Sequence, residues 1–415
     1  IMNNYINETI GYLCQPTQSG LSIYSSILLI IIILIIVTYG YIKVKYRFWS
    51  MQPVFHVYNM LYWIRPPGLI DYQLPIQNRY VNQNNISFRD FSIVEQSTID
   101  VSTKLIQEHY LKVKDAHYNP KVNNIVPYFK GHQDPCFLST YVIKDLLGEK
   151  ETIGTMTSRP LHVYLYGKKM SVHYVDHLCV HRGHRNKGIA PELIQTHNYY
   201  QCRANPKIMC SLFKKETDLT GIVPLTIYKT YCFDMNMWKQ KVTLHSSIQI
   251  VEVNKRNIHI LHDFLKHMIL ATDKFSCFIM SSIGNILRLI ETKNIFVYIA
   301  LQKDNILSAY FFRDSSLTYD DEGVLECFCT LNNVDSIKSS KNSDIFVYMF
   351  SHALKKVCAE KKDMRYLLIE NNSDTKEILV NIMMKYVPMF ESPTAYYLYN
   401  YGVRPIEEFR VCIIN

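Results

Sequence analysis

The sequence predicts a mixed α/β protein of two similar lobes sharing one large sheet, preceded by one N-terminal transmembrane helix. Three observations carry that expectation. Residues 21–41 form an almost unbroken apolar run, the order helix, hairpin, strand, helix occurs twice in the remainder of the chain, and a strand at 170–180 runs into a basic turn that opens a helix. With 415 residues, 48% apolar and 20% charged, the chain has the composition of a folded protein with room for two lobes.

The N-terminal element comes first. Ile27 to Val37 contains only Ile, Leu and Val, and about 20 such residues at 1.5 Å each cross a hydrocarbon core of roughly 30 Å. A buried core helix would show polar relief every few residues. A cleaved signal peptide would carry positive charge before its apolar run and small residues after it. Here Lys43, Lys45 and Arg47 follow the run, with bulky Tyr41, Tyr46 and Trp49 among them. The sequence therefore reads as an uncleaved span at 21–41 and a basic juxtamembrane segment at 42–47. The positive-inside rule places residue 43 onward in the cytosol and the short head, 1–20, outside. That head carries Glu8 and no Lys or Arg, and its Asn7-Glu8-Thr9 triplet lies too close to the span to read as a glycosylation site.

From Phe48 on, helix and strand patterns alternate without a low-complexity linker. Val101 to Val113 places Leu105, Ile106 and His109 at helical spacing. Thr152–Met156 and Leu161–Tyr166 read as strands, and Gly167-Lys168-Lys169 turns the chain into another, Met170–Val180. A helix follows with Pro191 at its first position. In the second half Leu261, Phe264, Leu265, Met268 and Ile269 mark an amphipathic helix. Ile295–Leu301 and Ile306–Phe312 form a hairpin around Lys303-Asp304-Asn305, Val324–Leu331 is a strand, and Ser343-Asp344 caps a helix to about Ala359. The lobes are expected at 48–236 and 237–415.

The formal charge of +9 does not imply nucleic acid, because the basic residues are dispersed rather than gathered in a run. Eleven scattered cysteines, with Cys327 and Cys329 as the only close pair, fit a reducing compartment and complete no zinc set. Heavy use of Ile, Asn, Lys and Tyr suits an AT-rich genome, such as that of a large DNA virus.

The most informative stretch is Val175 to Pro191. Small residues at Gly188 and Ala190 let a ligand approach the backbone, the first N–H groups of the following helix suit a pyrophosphate, and Arg185 and Lys187 add charge. The spacing Arg185 to Ala190 resembles the CoA-binding turn of the GCN5-related acyltransferase (GNAT) superfamily. Leu178-Cys179-Val180-His181, then Arg185, Lys187 and Ala190-Pro191, resembles the signature of N-myristoyltransferases. Tyr46-Arg47-Phe48-Trp49-Ser50-Met51-Gln52-Pro53-Val54 is similar to that family's CoA-contacting motif, and Tyr396-Tyr397-Leu398-Tyr399-Asn400-Tyr401 to its late aromatic strand. The three occur in the family's order, so the resemblance covers residues 46–415.

That resemblance implies two GNAT-like lobes and transfer of a myristoyl group from acyl-CoA to an N-terminal glycine amine, by a monomeric catalytic domain without a metal. It implies acyl-CoA contacts at Arg47, Phe48, Trp49, Leu178, Cys179, Val180, Arg185, Lys187, Gly188, Ile189 and Ala190. The base would be the α-carboxylate of Asn415, at the end of the apolar strand Phe409–Asn415, and the oxyanion donors the backbone N–H groups of His177 and Leu178. Tyr110, Phe213 and Tyr397 would face the acceptor peptide. Cys179 is an alternative nucleophile, one the family carries without using. The peptide side departs from the family: Tyr110 is followed by Leu-Lys-Val-Lys-Asp rather than an acidic run, Pro388–Pro393 replaces a glycine loop, and Phe213 and Lys214 stand nearest a missing glycine-pocket motif. A catalytically silent, membrane-anchored interaction or virion component with this fold, or a plain acyl-CoA-binding module, is the competing expectation.

Overall fold

The computed structural model describes residues 23–113, 116–144, 148–217, 219–237, 243–303, 305–333 and 342–415. These fall into two compact units, Ile1–Gln52 and Pro53–Asn415. In the first, helix α1 (Ile23–Lys45) carries the apolar run. It continues one turn past the expected end at Tyr41, because nothing in Ile42–Lys45 breaks a helix and Lys43 and Lys45 lean back over the Tyr39 and Tyr41 rings at 5.0 and 5.4 Å. Tyr24–Lys45 is long and apolar enough to cross a membrane. The expected head, its Asn7-Glu8-Thr9 triplet and Leu21 lie outside the described residues.

In chain order the first half of the second unit runs α2 (Met60–Ile64), β1 (Gly68–Leu69), β2 (Ile86–Asp90), α3 (Gln96–His109), β3 (Lys112–Val113), β4 (Ala116–Tyr118), α4 (Val122–Ile125), β5 (Phe137–Lys144), β6 (Lys150–Leu165), β7 (Lys168–Val180), α5 (Ile189–Ala204), β8 (Ser211–Glu216) and β9 (Thr226–Asp234). The second half runs β10 (Ile248–Glu252), α6 (Ile258–Leu270), β11 (Cys277–Met280), α7 (Ile283–Glu291), β12 (Ile295–Gln302), β13 (Asn305–Tyr319), β14 (Glu322–Asn332), α8 (Asn342–Glu360), β15 (Met364–Glu370), α9 (Thr375–Met383), β16 (Phe390–Tyr399), β17 (Tyr401–Gly402) and β18 (Val411–Ile414).

The repeat expected from the sequence is real. In each half an antiparallel meander (β5-β6-β7, then β12-β13-β14) ends in a strand that a helix connects to a parallel neighbour, α5 linking β7 to β8 and α8 linking β14 to β15. Among the described residues sixteen strands form one mixed sheet; twelve follow the path β10-β12-β13-β14-β15-β9-β16-β8-β7-β6-β11-β18, while β5 with β2 branches from β6 and β4 with β3 from β13. The halves exchange strands along it. β9 pairs with β15 of the second half, while β16 pairs with β8 and β11 with β6 of the first.

Several boundaries differ from the sequence reading, each for a local reason. α3 spans Gln96–His109 rather than Val101–Val113, because its buried stripe begins at Ile99 and Val113 leaves the helix to pair with Ala116. The two strands expected at 152–156 and 161–166 are one, β6, running through Pro160. His173, the partner of Pro160, turns its own N–H to Cys210 on the far side, so the Pro160 nitrogen points away from β7. It faces the gap between the end of β5 pairing at Ser158 and the start of β11 pairing at His162, where no donor is needed. α5 starts at Ile189, which puts Pro191 at its third position, still among the N–H groups that lack an intrahelical acceptor. Of the 295–312 hairpin, Asp304 lies outside the described residues, as do the Ser343 and Asp344 side chains.

One close approach ties the two halves together. Gly131 adopts φ +81°, and a Cβ there would stand 2.6 Å from the Gly284 carbonyl at the start of α7. Beside it the buried Asn285 amide donates to the carbonyls of Pro127, Tyr128 and Lys130 at 3.0, 3.2 and 2.7 Å, and Ser281 donates to Asn285 Oδ1 at 2.6 Å. A Cβ at Gly284 would fall 2.7 Å from the Gly131 oxygen. Gly284→Ala is therefore expected to lower unfolding stability by about 1–3 kcal/mol in urea titrations. Gly221→Ala, where an added Cβ meets open space, should change it by less than about 0.5 kcal/mol.

Candidate active site

Strands β7 and β8 pair in parallel only over His173–Val175 and Ser211–Phe213. β7 then runs on to Val180 without β8, so the sheet splits beside the last third of β7. At the split, β7 bulges against β6: Thr155 faces Cys179 and Thr157 faces Asp176, leaving His177 and Leu178 opposite the single residue Met156. His177 takes φ +51°, a left-handed conformation that a non-glycine residue holds only under constraint. Thr157 supplies the constraint, with its hydroxyl donating to the Asp176 carbonyl at 3.0 Å and lying 3.1 Å from His177 Nδ1. The His177 N–H is held by Asp176 Oδ1 at 2.8 Å. Burial favours the neutral Asp176 acid, but His177, Arg159 and the backbone bond outweigh it and keep the carboxyl below its ordinary value. Of the two expected oxyanion donors, His177 thus offers its N–H only after Asp176 lets go.

Beyond the bulge the chain enters the basic turn. Gly188 sits at φ +84° and ψ 1°, a left-handed position suited to glycine, and no side chain caps α5. Its first N–H groups therefore face outward with the positive end of the helix dipole. Lys187 and Gly188 are exposed, whereas Ile189 is buried and Ala190 half-buried beneath them. Arg185, expected at the acyl-CoA, also has a structural role. Its Nε donates to the Val180 carbonyl at 3.3 Å and its Nη2 to that of His109, so the guanidinium braces the turn against α3. Cys179 points the other way, its thiol 3.6 Å from the Leu105 carbonyl, and burial pushes it up to about 12. A thiol so protonated is no nucleophile at neutral pH.

On the other side of the split lies a buried polar floor. Arg159 is 2% exposed, stacked at 4.8 Å over Tyr128 and 5.1 Å over Tyr174, and its Nη1 meets no hydrogen-bond partner. Lys214 pairs with Glu370 at 2.6 Å and Glu216 at 2.7 Å, and Arg313 with Glu326 at 2.9 Å. Tyr228 and Asn372 donate to the second Glu370 oxygen at 2.6 and 3.1 Å. Burial pulls the Lys214 ammonium down, but Glu216, Glu370 and Glu326 outweigh it and hold it above the ordinary lysine value. The two carboxyls part ways. Burial wins at Glu326 and raises it, whereas at Glu370 Lys214 overcomes burial and lowers it.

The chain reaches this floor at Asn415. β18 inserts parallel to β11, Ser281 N–H holds the Ile414 carbonyl at 2.9 Å, and Asn415 is buried, its amide donating to the Tyr396 hydroxyl at 3.3 Å. Tyr396 neighbours Tyr174 at 6.4 Å, which links Asn415 through Tyr174 and Arg159 toward Asp176 and the bulge. The expected peptide residues divide. Tyr110 packs on Tyr118 at 5.3 Å. Phe213 and Tyr397 are cross-strand partners stacked at 5.2 Å. Because strand neighbours alternate faces, they lie opposite the Lys214–Tyr396 face that Asn415 joins. Pro388–Pro393 forms no glycine-like loop, since Phe390 already begins β16. Arg47, Phe48 and Trp49 belong to the first unit, where the Phe48 and Trp49 rings meet edge-on at 5.1 Å. Among the described residues no cluster of three or more His, Cys, Asp or Glu could hold a metal.

Saccharomyces cerevisiae N-myristoyltransferase with bound myristoyl-CoA superposes on this chain with a TM-score of 0.66 at 15% identity, covering 87% of this chain and 94% of that one. The chain has the N-myristoyltransferase fold. A second structure of the yeast enzyme, with myristoyl-CoA and inhibitors, gives a TM-score of 0.68 at 15% identity over 89% and 93%. A tandem GNAT protein from the clavulanic acid biosynthesis pathway gives 0.52 at 10% identity over 77% of this chain and all of that one. No family model and no curated protein sequence matches the chain. The paired lobes of the N-myristoyltransferase fold are those the repeated element order predicted.

The Glu370 geometry sets a pH dependence. Its folded pKa lies below the unfolded one, so its contribution is present above about pH 4.5 and is lost as pH falls through the depressed value. Glu370→Gln should cost about 1.5–3 kcal/mol at pH 7, because it removes the buried one of the two carboxylates that hold Lys214 and leaves Glu216. The gap from the wild type in urea melts should narrow steadily as pH falls from about 4.5 to about 2.

Proposed function

We propose that this protein is an acyl-CoA-dependent N-acyltransferase that moves a long-chain group, myristoyl, to the N-terminal glycine amine of a protein acceptor. The observation that carries the reading is the bulge at His177–Leu178, followed through the basic turn 181–188 by the uncapped N-terminus of α5, in a sheet split between β7 and β8. The helix end and Lys187 suit the pyrophosphate of CoA, and the split leaves a slot in which a thioester can lie against free backbone. The yeast N-myristoyltransferase structures of this fold contain myristoyl-CoA.

In this mechanism the acceptor amine attacks the thioester carbonyl, the N–C bond forms, and the C–S bond breaks to release the CoA thiol, which takes a proton. Leu178 N–H stabilises the developing oxyanion, joined by His177 N–H when Asp176 releases it. The α-carboxylate of Asn415 takes the ammonium proton. It is buried on the Tyr396 face, where low dielectric strengthens its pull. This assignment requires Asn415 to be the last residue of the mature protein, which mass spectrometry of the C-terminal peptide establishes.

A silent acyl-CoA-binding protein of the same fold is the second reading, favoured by Asp176 occupying the His177 N–H. The two separate on one assay. Residues 42–415 are incubated with labelled myristoyl-CoA and glycyl peptides, beside a chain extended by two residues after Asn415. The enzyme reading expects transfer by the first and at least a tenfold loss in the second. Binding without transfer by either selects the silent protein, and equal transfer removes the terminal carboxylate from the mechanism. Lys187→Ala is expected to weaken acyl-CoA binding about fivefold, the effect of one exposed charge, while Arg185→Ala should also lower the melting temperature because it removes the brace to His109.

A further inference from the structure

We propose that α2 (Met60–Ile64) and its flanks form a second membrane contact, an apolar face that lies on an anionic bilayer surface. The proposal rests on α1 being a membrane span. In this five-residue helix Asn59 caps the start by accepting from Leu61 N–H at 3.1 Å. Only Tyr62 turns inward: it is 4% exposed, donates to the Val403 carbonyl at 3.1 Å and meets the Phe55 ring at 5.5 Å. Pinned in this way, the helix directs Met60 (84% exposed), Leu61, Trp63 and Ile64 (78% exposed) away from the body. Tyr62 alone is buried, so Met60, Leu61 and Ile64 stay exposed, and Trp63, 63% exposed, meets the Tyr62 ring edge and the Arg404 guanidinium. A water-facing turn would carry polar residues here.

Chemistry and chain length name the occupant. Tryptophan beside arginine is the pairing that suits a headgroup layer, an amphipathic ring with a cation at phosphate depth. Arg404 stacks over Trp63 at 5.1 Å and over Tyr62 at 4.6 Å, and it donates to the Trp63 carbonyl, while Arg65 is exposed at the end of the helix. From Thr9 to Ile70 the sequence contains no Asp or Glu, and Lys43, Lys45, Arg47 and Arg65 fall within that stretch. A protein partner would be expected to meet some acidic rim; an anionic lipid surface meets none. Only residues 46–59 separate α1 from α2, at most about 50 Å of extended chain, so a spanning α1 keeps α2 within reach of the bilayer.

The test uses the full chain in vesicles of phosphatidylcholine and phosphatidylserine, with Trp49→Phe and Trp238→Phe leaving Trp63 as the sole reporter. Phosphatidylcholine brominated on its acyl chains should at least halve Trp63 emission. Adding Met60→Asp and Ile64→Asp, both at exposed positions, should restore that emission and raise acrylamide quenching at least threefold. If the chain resists alkaline carbonate extraction but Trp63 responds to acrylamide and not to brominated lipid, the face does not dock and the span stands. If the double aspartate chain is quenched by lipid as before, the tether alone brings Trp63 near, and the proposal fails. If carbonate strips the chain from the vesicles, the span reading fails and the proposal falls with it.

Discussion

The parting of β7 from β8 after Val175 is the constraint on which the rest of the site depends. Three parallel register pairs hold the strands together, and then the extra residue at His177–Leu178 turns the ladder aside. A bulge in an antiparallel pair adds twist and removes two backbone positions from pairing. Here it lies near the end of a strand that the basic turn 181–188 joins to a helix with no side-chain cap. A single local irregularity therefore sets the His177–Leu178 backbone and the basic turn on the same end of β7. Thr157 holds it in place, because its hydroxyl reaches both the Asp176 carbonyl and the His177 ring.

The split would be a defect in an isolated lobe, since it exposes an edge. Strand exchange closes the unit around it. β16 covers β8, β9 carries the sheet on to β15, and β11 with β18 extends the far side of β6. The same exchange brings Lys214 from one half against Glu326 and Glu370 of the other, and delivers Asn415 to Tyr396. Charges that would be costly alone become tolerable as pairs with satisfied oxygens. Arg159 stands apart, a buried guanidinium held by aromatic faces rather than by a carboxylate, at the point where the two halves meet.

Much of the first half of the site was legible because its signals are local. Gly188, Ala190 and Pro191 announce a tight turn into a helix, and alternation marks β7 up to Val180. Arg185 has a further, tertiary role that no local signal shows, since α3 presents the His109 carbonyl to it. The polar floor had a fainter signal that the motifs overshadowed: Arg159 and Glu326 are charges set in the middle of long strands, and Lys214 and Glu370 lie on strands whose other charges are at least partly exposed, a pattern that costs stability unless each finds a partner. Phe213 and Tyr397 were placed on the peptide side by resemblance, whereas strand alternation sets them on the face opposite Asn415.

The sequence alone determined the apolar span of α1, the doubled element order, the basic turn and the apolar final strand, because each depends on residues a few positions apart. Tertiary structure decided which strands cross between the halves, where β7 bulges against β6, and which charges share the floor. These are long-range pairings: Lys214 with Glu370, Arg313 with Glu326 and Asn415 with Tyr396 join residues that no local period relates. Their energies appear only when burial removes water from both partners at once, and burial is a property of the packed sheet rather than of any segment of it.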